Sequence, residues 1–147
     1  MRKGFTLIEM TIVLVIILAF LAMSVPFFAN FSSATGVNTA TREISTLLRT
    51  TRSYAIAQNS DYNAVFDTTT VPNRFWIYDP DPPEEAHMVG KGLSLPTGVT
   101  FDAPVTVTFT STGGITGGAD VTITIGNAKG KTKAIKVYYV TGMVEIQ

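Results

Sequence analysis

The sequence predicts an α+β protein: one long N-terminal helix, membrane-spanning in its first half and amphipathic in its second, packed on an antiparallel β-sheet head. Three observations carry that reading. All twelve residues from Ile12 to Met23 are apolar. Between Val37 and Gln58 apolar or small residues recur at helical spacing. From Tyr62 onward the period falls to two. The chain divides accordingly into a short basic leader (1–4), an apolar helical half (5–30), an amphipathic helical half (31–60) and the head (61–147).

Composition narrows the function classes. The 147 residues are 46% hydrophobic and only 15% charged, and the apolar excess lies at the N-terminus. Eleven basic and eleven acidic residues give zero formal charge, so nothing in the balance points to nucleic acid or to basic partners. With no cysteine there is no disulfide and no thiolate metal site, and the head must be held by its core.

Extending the apolar run to Phe5 and Phe28 admits only Thr6, Glu9, Thr11, Ser24 and Pro26. A helix rising about 1.5 Å per residue needs roughly 20 such residues to cross hydrocarbon, so the segment is long enough to span. Arg2 and Lys3 ahead of it predict a cytoplasmic start with the remainder outside. A plain anchor would read this way. So would a secretory signal cleaved after the small residues around Ala22-Met23-Ser24. Glu9 suits neither, because a charge early in the run weakens insertion unless it has a partner.

Gly4-Phe5-Thr6-Leu7-Ile8-Glu9, after a short basic leader, resembles the processing site of type IV prepilins and pseudopilins. The resemblance implies that a prepilin peptidase cuts between Gly4 and Phe5 on the cytoplasmic side and methylates the new amine of Phe5. Glu9 becomes the fifth mature residue, and Pro26 stands where many pilins bend or locally melt the helix. Cleavage frees an α-amine with a pKa near 7.7–8.0, largely cationic at neutral pH. A lone ammonium or carboxylate is costly in apolar surroundings, whereas together they offset much of each other's desolvation. Glu9 lies one turn from Phe5 and can meet its own terminus. When helices stack with an axial offset it can meet the neighbour's, which the resemblance favours. Loss of Arg2 and Lys3 takes the 11 basic residues to 9 against 11 acidic, a weakly acidic mature chain.

Beyond Pro26 the helical stripe runs through Val37, Ala40, Ile44, Leu47, Leu48, Thr51, Ala55 and Gln58, with Thr41, Arg42, Arg49 and Arg52 elsewhere. Ser32, Ser33 and Gly36 mark a weak spot where the helix is expected to fray or bend. Asn59-Ser60-Asp61 ends it. Helix from 5 to about 58 would measure roughly 80 Å, and the rest of the chain is the natural cover for its stripe. The three arginines invite a nucleic-acid reading. A solvated face paired with Glu43 or with the head explains them more simply.

In the head, 63–67 and 74–78 read as strands about a Thr-Thr-Thr-Val-Pro-Asn turn. Residues 79–85, with three prolines, read as an irregular loop. Gly98 to Asp102 reads as an edge strand. Val105–Phe109 and Val121–Ile125 alternate large apolar residues with threonine, joined by a glycine-rich hairpin connection over 111–120. A turn at 127–131 and strands at 134–140 and 143–146 about Thr141-Gly142 complete one sheet with one face to bury, which the striped helix covers.

This order of elements is similar to that of H-type (GspH- or FimT-like) minor pseudopilins and minor pilins, and hence to a type IV pilin-like fold. The resemblance implies a subunit at or near the tip of a short periplasmic filament of a type II secretion system. Its implied partners are other pilin or pseudopilin subunits through the N-terminal helix, the prepilin peptidase, an inner-membrane assembly platform and membrane lipid. The implied location is the inner membrane, single-pass, with the N-terminus cytoplasmic and the head periplasmic, and later a periplasmic or extracellular filament. The alternatives are a FimT-like minor pilin acting in pilus assembly or DNA uptake, and a secreted binding module with a cleaved signal. Some FimT-like pilins bind DNA through basic C-terminal residues; this chain ends Met143-Val144-Glu145-Ile146-Gln147, and DNA is not expected as a partner. Lys129, Lys131, Lys133 and Lys136 read as a hairpin turn and a solvent face.

No enzyme chemistry is legible. His87 is the single histidine, which leaves nothing for a triad or a zinc site, and no cofactor is expected. Asp79, Asp81, Glu84 and Glu85 are the nearest approach to a metal site. They lack the glycine and regular spacing of a calcium loop and read as a proline-stiffened surface loop. The segment STGGITGGAD lacks the Lys-Ser/Thr end of a phosphate loop. Phe75, Trp76 and Tyr78 read as core and sheet-edge aromatics.

Overall fold

The computed structural model describes residues 6–80 and 87–147, the side chains of 23–34 and of His87 excepted. It comprises α1 (Leu7–Gln58), β1 (Tyr62–Asp67), β2 (Arg74–Asp79), β3 (His87–Ser94), β4 (Val99–Phe101), β5 (Val105–Phe109), β6 (Val121–Asn127), β7 (Thr132–Val137) and β8 (Val144–Ile146). The chain up to Ser32 is one compact unit and Ser33–Gln147 a second. Each is described by itself.

In the second unit α1 buries Val37, Ala40, Ile44, Leu47, Leu48, Thr51 and Ala55, as its periodicity dictates, whereas Gln58 is exposed. Thr41 corrects the expectation that it lies off the stripe, being only 1% exposed. Its hydroxyl donates to the Val37 carbonyl at 2.7 Å, and Ser45 and Thr51 bond to the carbonyl four residues back at 2.8 Å each. A hydroxyl satisfied inside its own helix is cheap to bury. Gly36 does not fray the helix, one of the two outcomes expected there. It stays helical, and a Cβ there would lie 3.3 Å from Val99 Cγ2 and 3.7 Å from Pro96 Cβ. The missing side chain serves close packing against the start of β4. The helix stops where Asn59 takes a φ of 52° and Ser60 N–H reaches the Ala55 carbonyl at 3.3 Å. Asparagine tolerates that left-handed conformation, and the bond recovers one orphan carbonyl.

The head holds two antiparallel four-stranded sheets, where the sequence suggested one. Their orders are β3-β2-β1-β5 and β4-β6-β7-β8. The glycine-rich segment after β5 is therefore a crossing between sheets and not a hairpin. Gly113, Gly117 and Gly118 have φ of 86°, 103° and 76°, which glycine alone adopts freely. Within the crossing, Thr116 N–H donates to the Thr108 carbonyl and Ile115 N–H to the Tyr139 carbonyl, both at 3.0 Å. The segment thus stitches the edge of one sheet to the chain leaving β7. β7 itself ends at Val137, three residues short of the expected end, because 138–143 turns on Gly142.

The inner faces of both sheets and the helix stripe share one core. Phe101 of β4 meets Phe66 and Phe75 of the other sheet edge-on, at centroid distances of 5.4 and 6.1 Å. Asn73 joins the sheets by polar means. Its amide donates to the Thr70 carbonyl at 2.8 Å while its oxygen accepts from Phe101 N–H at 3.0 Å. β3 was not legible in sequence. Gly90 and Gly92 interrupt its period, and its register against β2 shifts between Phe75 and Ile77.

Candidate assembly site on the N-terminal helix

Gly4 and Phe5 lie outside the described residues. Glu9 is placed in the first turn of α1. Thr6 caps that turn: its hydroxyl accepts from Glu9 N–H at 3.3 Å, and its carbonyl accepts the first helical bond, from Met10 N–H, at 3.2 Å. Thr11, a second hydroxyl of the run, donates to the Ile8 carbonyl at 2.8 Å. The Thr-x-x-Glu spacing was visible in the sequence and signals such a cap.

Around Glu9 the helix is uncovered. From Leu7 to Leu21 every large apolar side chain is at least 46% exposed. Such a surface, with no polar face, needs lipid or other helices over it. Among the described residues no helix is long and apolar enough to cross a membrane.

The other candidate residues sit in the head. Asp79, at the end of β2, accepts a hydrogen bond from the Tyr62 hydroxyl. Burial, and then that carboxylate, push the phenol above its ordinary pKa, and Tyr62 stacks on Tyr54 at 5.8 Å. Asp79 is thus engaged with β1 of its own sheet, and Tyr62 carries the contact on to the helix. Asp81, Glu84 and Glu85 lie outside the described residues. Among those described, no three His, Asp or Glu side chains gather for a metal.

The basic residues are mostly structural. Arg52 Nε donates to the Gly113 carbonyl at 3.0 Å, and Arg49 reaches the Val144 carbonyl at 3.5 Å. Of the two partners expected, Glu43 or the head, both arginines find the head, through hydrogen bonds to its carbonyls. Lys129 and Lys131 flank a turn in which Asn127 Oδ1 accepts both of their N–H groups at 3.1 and 3.0 Å. Lys136 pairs with Asp120 at 2.9 Å and lies over the Tyr138 ring. Phe75 is core, while Trp76 and Tyr78 are half-buried on the opposite face of the sheet. An open groove of about 380 Å³ between α1 and β3 is lined by the apolar Leu47, Ile77, Val89 and Leu93, with Arg42, Glu43 and Lys91 also on its walls.

Residues 40–138 match the family described as Type II transport protein GspH. The chain belongs to that family. It is an H-type minor pseudopilin with the type IV pilin-like fold. Residues 1–25 separately match the prokaryotic N-terminal methylation motif. No curated protein matches significantly. Among solved structures, the fold is similar to that of the Pseudomonas aeruginosa type IV minor pilin FimU, with a TM-score of 0.63 and 16% identity over 80% of this chain and 92% of that one. It is also similar to the minor pseudopilin EpsH of the Vibrio cholerae type 2 secretion system, with a TM-score of 0.61 and 14% identity over 76% of this chain and 95% of that one. At such identities the likeness speaks for the fold. Family membership places the pseudopilin among subunits that assemble with other pilins.

Proposed function

We propose that this pseudopilin is incorporated at or near the tip of a periplasmic filament that drives export in a type II secretion system. The prepilin peptidase cleaves between Gly4 and Phe5 and methylates the Phe5 amine. The apolar half of α1 holds the subunit in the inner membrane, N-terminus cytoplasmic and head periplasmic, until an assembly platform moves it into the filament. There Glu9 pairs with the amine of an adjoining subunit. The chain catalyses nothing and carries no cofactor. The observation that supports this most is a single acid in the first turn of an otherwise uncovered apolar helix, behind a methylation motif. One charge in that setting requires an opposite one.

Mass measurement of the mature N-terminus is the direct test. N-methylated Phe5 is expected; a start at Val25 would mean a cleaved secretory signal and overturn the reading. Glu9→Ala should be processed and inserted normally yet fail to enter filaments, and normal entry would remove the pairing. The likeness in fold to a type IV minor pilin favours pilus assembly as the second reading. Restoration of pilus formation, and not of secretion, in the corresponding deletion strain would select it.

A further inference from the structure

We infer that Thr6 is a positioning residue for Glu9, its hydroxyl fixing the first turn of α1 so that the carboxylate stands at a set height when a partner's amine arrives. The inference rests on the filament reading above. Thr6-Leu7-Ile8-Glu9 places an acid three residues after a hydroxyl and directly ahead of an apolar run, the capping-box pattern. Half of the box is closed in the structure, by the bond from Glu9 N–H to Thr6 Oγ1 at 3.3 Å. Because the Thr6 carbonyl accepts from Met10 N–H at 3.2 Å, Thr6 is the cap and Glu9 the third residue of the helix.

That register has consequences in apolar surroundings. Unpaired N–H groups at a helix start have no water to turn to, and Thr6 removes one of them. The second half of a capping box runs from the acid back to the cap residue's own N–H. Glu9 in an unassembled subunit therefore has an acceptor role available within its own chain, at the N-terminal end of the helix. Docking exchanges that role for a bond to a charged amine, which is the stronger of the two. Without the hydroxyl the first turn frays past Leu7, and the carboxylate loses its fixed place along the axis.

The test uses the full chain, expressed with the remainder of its secretion system in a strain lacking the native copy. Filament incorporation is measured per molecule of processed, membrane-inserted subunit, so that cleavage defects do not enter. Thr6→Val keeps the shape and loses the hydroxyl; it should lower incorporation by about two- to thirty-fold, the range of a lost cap. Thr6→Ser should restore it to within about two-fold of the parent. Thr6→Val combined with Glu9→Ala should be no worse than Glu9→Ala alone, since the hydroxyl acts through the acid. Parental incorporation of Thr6→Val, failure of serine to rescue, or a double variant whose loss is the product of the two single losses would each overturn the positioning role while leaving the filament reading in place. Normal incorporation of Glu9→Ala would instead overturn the pairing on which both depend.

Discussion

Single residues hold this head together at points where chain segments from different sheets meet. Asn73 is 5% exposed and satisfies the Thr70 carbonyl and the Phe101 N–H at once. Asn73→Leu strands both, so a loss of about 2–4 kcal/mol is expected in chemical denaturation of the full chain in detergent. Gly142 is the tightest point. Its φ is 61°, and a side chain there would strike the Gly113 carbonyl that Arg52 also binds. Gly142→Ala should cost about 2–4 kcal/mol, read as a fall in thermal midpoint. Asp120 supplies a pH dependence. The Tyr139 N–H, and then Lys136, hold its carboxyl below the ordinary carboxylate range. A depressed folded-state pKa means its contribution is complete above the unfolded value near 3.9 and fades as pH falls through the folded value. Lys136 is shifted up, chiefly by its bond to Asp120, so its share is complete below about 10.4 and is lost as pH rises through the higher folded value. Asp120→Asn should therefore flatten both ends of the stability–pH curve.

At the scale of elements, α1 is two helices in chemistry. The first exposes apolar side chains all round, and the second buries one stripe and satisfies its own buried hydroxyls. Both were legible, because periodicity is a property of local sequence. Gly36 shows the limit of the same kind of signal: taken locally it means a weak helix, and only the approach of Val99 reveals its use. The balance there can be tested. Alanine gains about 1 kcal/mol of helix propensity but meets Val99 at 3.3 Å, so Gly36→Ala should be near neutral, within about 0.5 kcal/mol. Gly36→Leu should destabilise by about 2 kcal/mol or more, since it forces the helix away from β4. A strongly stabilised Gly36→Leu would show that the contact is not held. The strands on either side of the threonine-rich alternations were equally readable. β3 was not, since two glycines and a register shift erase its period.

For the whole molecule, the decisive fact is that Ser33–Gln147 has a continuous core of its own, whereas the large apolar side chains described in the preceding helix, from Leu7 to Leu21, are all exposed. A fragment Ser33–Gln147 should thus be soluble and unfold cooperatively, whereas the full chain should require detergent or lipid. Aggregation of the fragment with a molten near-ultraviolet spectrum would contradict that division. The order of the elements other than β3, the methylation motif and the lone acid were determined by the sequence itself, because each depends on residues within a few positions of one another. The splitting of the strands into two sheets was decided only in three dimensions. So were the crossing at 111–120, the joining role of Asn73 and the capture of Arg52 by the Gly113 carbonyl. Which strand pairs with which, and which carbonyl a guanidinium finds, are set by contacts across tens of residues, where alternation of apolar and polar side chains is the same for any partner.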